Sequence, residues 1–307
     1  MEKKDFYRLE EECEYRFLNQ GECYHLCTDE NCPVIFHNEQ QFKTAMNVVA
    51  LLSVITPEVE ILTFEIMSNH MHFALCGERK CILAWFDRLV LILKANPDLV
   101  ESKDTIASLR AKVIPVDGLE YLRNVIVYIN RNGFIVDYGC TPYSYLWGSN
   151  RFFFNTEARL RYELSRTKAT MRCKRKMFHS NLADNIWDIY VVDGYVSPLC
   201  FCKIDIAESL FRNAQHYFSK ISRSIESSAM IAREIGESMY YLDSELYSII
   251  AMKCSKEFGC KSPAQIPADA KVTIAKMMRY DYNASSKQIA RILKIEVSTI
   301  KRLFPDI

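Results

Sequence analysis

Between Val59 and Cys76 the chain reads VEILTFEIM, then Ser68-Asn69, then HMHFALC. Two runs rich in β-branched and aromatic residues, separated by a turn pair, specify an antiparallel hairpin. Alternation along the returning strand sends Met71, Phe73 and Leu75 toward a core. It sends His70, His72, Ala74 and Cys76 to the opposite face. Two imidazoles side by side on a strand are half of a metal site, although core or surface histidines are the more frequent outcome of such a pair.

The flanking segments place this hairpin in a larger pattern. An acidic helical lead covers Asp5–Leu18. Glu22–Thr28 reads as a strand with Cys23, His25 and Cys27 on one face. Phe42–Ile55 has helical periodicity and stops at Pro57. Cys81–Lys94 is a second helix, ending near Asn96-Pro97, and Ala111–Val116 is a further strand. Asp117 caps a third helix, Gly118–Asn132, which Gly133 is expected to terminate. The expected fold class is therefore α+β: a ferredoxin-like antiparallel sheet with one extra helix laid on it. In that helix Tyr128 and Asn132 stand at i and i+4, on one face.

Charge is partitioned along the chain. The whole sequence carries 39 Lys and Arg against 38 Asp and Glu. Residues 151–179 hold nine basic residues and two acidic ones, a local net of +7, which leaves −6 for the rest. This basic stretch reads either as a solvated linker or as a phosphate-contacting segment, with Arg172, Lys174, Arg175 and Lys176 at its densest part. The expected domains are 1–150, a basic connector at 151–203, and an all-α region at 204–307. The helices of the last region are Ile204–Phe218, Ser227–Ile235, Asp243–Phe258, Ala268–Tyr280 and Ser286–Ile295.

The final stretch, about 285–304, has the rhythm of a helix-turn-helix. Ser286 is the expected cap of its first helix. Val297 is expected to fill the turn, Ser298 to cap the second helix, and Ile300 and Leu303 to point inward. That leaves Lys287, Thr299, Lys301 and Arg302 to face a DNA partner. The alternative is an ordinary helical hairpin.

No apolar run of about 18 residues exists, so a membrane partner is not expected. The opening Met1-Glu-Lys-Lys-Asp has no apolar run behind it, and a cytoplasmic chain is the expectation. The twelve cysteines lack paired zinc-module spacing and read as small apolar residues.

These motifs together resemble the single-tyrosine transposases of the HUH endonuclease superfamily, with the REP-associated tyrosine transposases and insertion-sequence transposases as the nearest likeness. Met67-Ser68-Asn69-His70-Met71-His72-Phe73 is similar to the family's histidine motif, and Tyr128-Ile129-Asn130-Arg131-Asn132 to its nucleophile helix. Tyr143-Ser144-Tyr145 is similar to the aromatic-Ser-Ser-Tyr stretch that follows. Tyr24-His25-Leu26 with Ile35-Phe36 fits the opening strand and helix entry. The likeness covers about residues 20–150. It departs after the helix, where relatives continue Asn-Pro-Val-Arg and this chain has Asn132-Gly133-Phe134-Ile135.

The resemblance implies metal-dependent cleavage and rejoining of single-stranded or hairpin DNA. Tyr128 would be the nucleophile and would form a covalent 5′-phosphotyrosine. His70, His72 and Asn132 would be the ligands of Mg²⁺ or Mn²⁺, and Arg131 would be a DNA contact. It implies a monomer or a homodimer. The alternative is a catalytically silent DNA-binding regulator derived from such an enzyme.

Overall fold

The computed structural model describes residues 3–136, 144–179, 189–223, 225–237, 241–260 and 262–304. The chain divides into two compact units, Met1–Ile231 and Ala232–Ile307.

The first unit opens with helix α1 (Lys3–Leu18), strand β1 (Cys23–Thr28), α2 (Glu39–Ile55), β2 (Glu60–Ile66), β3 (Met71–Cys76) and α3 (Arg79–Ala95). A short helix α4 (Lys103–Ser108), strand β4 (Ala111–Pro115) and α5 (Leu119–Val136) follow. The strands form one antiparallel sheet in the order β2-β3-β1-β4. Strand boundaries lie within two residues of expectation, because β-branched and aromatic residues crowd these runs. Helix α2 starts earlier than expected, at Glu39, because the Asn38 side chain accepts a hydrogen bond from the Gln41 amide at 3.1 Å. Gly77 leaves β3 at φ +144°, where an added Cβ would meet the Glu58 carbonyl oxygen at 2.5 Å.

Both faces of the sheet are covered. Phe64 and Phe73 stack in register on one face, and Phe73 meets Trp85 of α3 with ring centroids 5.0 Å apart. Helix α5 lies on the other face, against β2 and β3. It continues through Gly133, which was expected to end it. A glycine terminates a helix only where the chain takes a left-handed turn, and the backbone here stays helical.

The basic segment is not a separate connector. It folds into the first unit as α6 (Thr156–Ser165), β5 (Thr167–Lys168), α7 (Met171–Phe178), β6 (Tyr190–Val192) and β7 (Tyr195–Val196). Strand β6 pairs with β5 on one side and β7 on the other, and β7 packs on α2, where Asn47 Oδ1 accepts the Val196 amide at 2.9 Å. Burial of Ile189, Val191, Tyr195, Val196 and Phe201 drives this packing. The outer edge of β2 is covered too: the Ile66 amide donates to Trp147 O at 2.8 Å, and the Lys203 amide to Ile61 O at 2.7 Å.

Helices α8 (Ile204–Ser209) and α9 (Ala214–Arg223) also belong to the first unit, so the expected boundary at 204 moves to 231/232. The expected helix 204–218 is broken at 210–213. Arg123 of α5 ties these pieces together from inside. It is 1% exposed, donates to Leu210 O at 2.7 Å and pairs with Glu10 of α1.

Helix α10 (Ile225–Ile235) crosses the boundary. The second unit continues with α11 (Asp243–Phe258), α12 (Ala268–Tyr280), α13 (Ser286–Leu293) and α14 (Val297–Leu303). Its core joins Leu246, Ile250, Ile274, Met278, Ile289, Leu293, Ile300 and Phe304. The cap of α13 is Ser285, not Ser286, in a reciprocal box with Gln288. Glu296, not Ser298, precedes α14. Ile300 points inward as expected, whereas Leu303 is 44% exposed and Phe304 takes its place. Val297 stays at the surface. Among the described residues no helix is long and apolar enough to cross a membrane.

Candidate metal centre and tyrosine site

The site forms on the sheet face beneath α5. Register decides its membership. Cys27 of β1 stands opposite His72 of β3, His25 opposite Ala74, and Glu65 of β2 opposite His72 on its other side. Residues opposite one another in an antiparallel pair share a face. His25, Cys27, Glu65 and His72 are therefore neighbours, and each is essentially excluded from solvent.

The rings pack closely. His25 and His72 stack with centroids 5.5 Å apart, and His25 Nε2 lies 3.3 Å from His72 Nδ1. The His70 ring stands edge-on to His72 at 5.0 Å. Tyr128 of α5 closes the cluster, 6.0 Å from the His25 ring and 5.7 Å from the His72 ring. The expected grouping of His70, His72 and Tyr128 is thus brought together. Asn132 shares the Tyr128 face of α5 one turn on and is half-buried.

Asn69 has a function that its place in a turn pair concealed. Its amide nitrogen donates to Glu30 O and, at 3.3 Å, to Cys32 O, which fixes the orientation of the amide. Asn69 Oδ1 then faces His70 Nδ1 at 2.8 Å. An amide oxygen only accepts, so His70 carries its proton on Nδ1 and presents a lone pair on Nε2.

Burial keeps all three imidazoles neutral at neutral pH. It pushes His72 down to about 3. His70 is also lowered to about 3, by burial first and then by His72. His25 falls well below 6.5 for the same two reasons. Neutral rings offer lone pairs to a cation or a proton.

The residues that can hold a metal ion include His25 and Cys27, which strand alternation placed on one face of β1 without a ligand role. Donor atoms of His25, Cys27 and His72 all lie within 4.8 Å of one another. Cys27 was counted among the small apolar thiols. Only the pairing of β1 with β3 reveals its partnership with His72.

Beside the cluster, hydrogen bonds pin α5 to the sheet. The Thr63 hydroxyl donates to Asn130 Oδ1 and receives a bond from Ser149 at 2.6 Å. Asn130 donates to the Tyr217 hydroxyl at 2.8 Å, which donates to Asn150 Oδ1 at 2.6 Å. Tyr145, in the stretch after the helix, donates to Ile66 O at 2.7 Å. Tyr143 lies outside the described residues.

The expected DNA contacts divide in two. Arg131 is 1% exposed and Lys174 is 3% exposed, so neither presents its charge on the surface. Arg131 sits in the stretch Val125–Arg131, where α5 is enclosed on all sides, and Lys174 shares the inward side of α7 with Phe178. Arg172, Arg175 and Lys176 stand at i, i+3 and i+4 on the outer side of α7 and are exposed. Lys287, Lys301 and Arg302 are exposed on α13 and α14, and Thr299 is half-buried.

No protein-family model, curated protein or solved structure matches this chain.

Proposed function

We propose that this chain is a metal-dependent single-strand DNA endonuclease and strand transferase of the transposase type. One observation carries the reading: the phenol ring of Tyr128 packs against His25 and His72, with His70 beside them, on one sheet face. The succession βαββαβ with strand order β2-β3-β1-β4 supports a ferredoxin-like sandwich. The short turn between α13 and α14, with exposed Lys301 and Arg302, supports a helix-turn-helix for DNA.

In this mechanism the Tyr128 oxygen attacks the scissile phosphorus in line. A bond forms from tyrosine to the 5′ phosphate and the bond to the 3′ oxygen breaks, releasing a 3′ hydroxyl. A free phenol has a pKa of about 10 and needs its proton taken. Neutral His25, packed against the ring, is the available acceptor. His70, with Nε2 exposed as a lone pair, and His72 would hold a divalent cation, Mg²⁺ or Mn²⁺. Bound there, the ion would neutralise charge developing on the phosphate. Rejoining reverses the attack and needs no nucleotide cofactor.

Tyr128 is 4% exposed. That burial favours a second reading, a DNA-binding regulator without cleavage. A labelled hairpin oligonucleotide with Mg²⁺ or Mn²⁺ decides between them. The enzyme forms a denaturant-resistant adduct, which Tyr128→Phe abolishes while DNA binding persists. An adduct in Tyr128→Phe overturns the nucleophile assignment. Binding without any adduct in the wild type establishes the regulator.

A further inference from the structure

We propose that His25, Cys27 and His72 form a buried site for a thiophilic divalent cation of the zinc class, with Cys27 as its thiolate ligand. The inference rests on the reading that this cluster holds a metal, and it adds both the ligands and the ion they select.

Geometry comes first. Two imidazole nitrogens bound to one tetrahedral Zn²⁺ at about 2.05 Å each lie about 3.3 Å apart. His25 Nε2 and His72 Nδ1 are 3.3 Å apart. Cys27 Sγ lies within 4.8 Å of a ring nitrogen of each histidine. A Zn–S bond of about 2.3 Å then requires the thiol to approach by about 1.3 Å at most. All three ligands stand on two paired strands, so the backbone holds the set in place.

Chemistry points the same way. Mg²⁺ takes oxygen ligands and keeps its waters, and this set offers two nitrogens and a sulfur. Imidazole and thiolate together select zinc-like ions. A doubly charged ion enclosed in a sheet also needs negative charge beside it. Cys27 supplies one on losing its proton to the metal, and the carboxylate of Glu65 stands opposite His72 on β2.

The undisturbed cluster lacks a structural reason for its histidine. His25 is completely buried, and its Nδ1 has no hydrogen-bond partner among the described residues. An apolar residue of similar volume would fill the same space without that loss.

The test is titration of the purified full chain, stripped with chelator, with Co²⁺ as a spectroscopic stand-in. The expected result is a near-ultraviolet thiolate-to-cobalt charge-transfer band at one equivalent. Zn²⁺ should chase it stoichiometrically, and a large excess of Mg²⁺ should leave it in place. Cys27→Ser should lose the band. Cys27→His keeps three ligands and should bind one Zn²⁺ without the band, which covers the case where Cys27→Ser does not fold. His70→Asn should retain the band.

Absence of the band in the wild type, or an unchanged band in Cys27→His, overturns the proposal. A band with no DNA adduct leaves this site standing and removes the nuclease. An adduct without the band does the reverse.

Discussion

Acid should unfold the first unit well before its carboxylates titrate. His25, His70 and His72 are neutral in the folded chain, the last two held down to about 3 and His25 well below 6.5. In the unfolded chain each returns to about 6.5. A depressed folded-state pKa contributes stability that is fully present above the unfolded value. That stability is lost as pH falls through about 6.5 toward the folded value, because the unfolded chain then binds more protons. Between ~pH 7.5 and ~pH 5.0 His70 and His72 each cost about 2 kcal/mol, together about 4 kcal/mol, and His25 acts in the same direction. A whole domain has about 5–15 kcal/mol to lose.

Urea unfolding followed by tryptophan fluorescence, in the presence of chelator, reads this directly. Trp85 and Trp147 belong to the first unit. His216 adds an effect of the same sign. It is lowered to about 4 by burial and then by Arg212, Arg123 and Lys220, but it is half-exposed, so the test rests on differences. The drop between ~pH 7.5 and ~pH 5.0 should shrink by about 2 kcal/mol in His72→Asn relative to the wild type. A wild-type curve that moves by less than about 1 kcal/mol, or an equal drop in the variant, would refute the reasoning.

Other outcomes follow from single contacts. Arg123→Met removes a buried guanidinium that joins Glu10, Glu120 and Leu210 O. It should cost about 3 kcal/mol in the tryptophan-monitored transition, and an unchanged midpoint would show that the pairing contributes nothing. Leu293→Ala opens a cavity at a fully buried position of the second unit and should cost about 3 kcal/mol by far-ultraviolet circular dichroism. A wild-type curve would mean that the site collapses without loss. Replacing both Lys301 and Arg302 by Glu should weaken hairpin-DNA binding and lower the log–log salt slope by about 2. An unchanged slope in fluorescence anisotropy would remove α14 from the DNA surface. Charge reversal is the cleaner perturbation there, because deleting 283–307 would take Ile289, Leu293, Ile300 and Phe304 out of the core.

Elements written in local patterns were legible. The hairpin of β2 and β3, α2 and α3 are visible in composition and periodicity, and Ile204 onward is visibly helical. What escaped depended on distant pairing. Strand alternation places His25 and Cys27 on one face of β1, but nothing local says that Cys27 will stand opposite His72. The charge average over 151–179 hid an amphipathic α7 with Lys174 and Phe178 turned inward. The strands that hold that segment down begin beyond it, at Tyr190. Gly133 carried a valid stop signal that the continuing helix ignores, since a glycine permits a left-handed turn without compelling one.

The two faces of the sheet answer different demands. The face toward α3 carries Phe64 stacked on Phe73 and Phe73 against Trp85, and such apolar burial stabilises without specifying a reaction. The face toward α5 buries His25, Cys27, Thr63, Glu65 and His72. Every polar group placed there must find a partner or weaken the fold. Thr63 finds Asn130, and through it Tyr217 and Asn150, so hydrogen bonds set the position of α5. Asn130 is two residues from Tyr128. The network that compensates the polar face therefore also fixes where the phenol meets the imidazoles. An apolar α5 interface would tolerate a slip along the helix axis, whereas this one would break the chain from Thr63 to Asn150 before the tyrosine moved. Preorganisation of that kind is what the proposed reaction at Tyr128 would require.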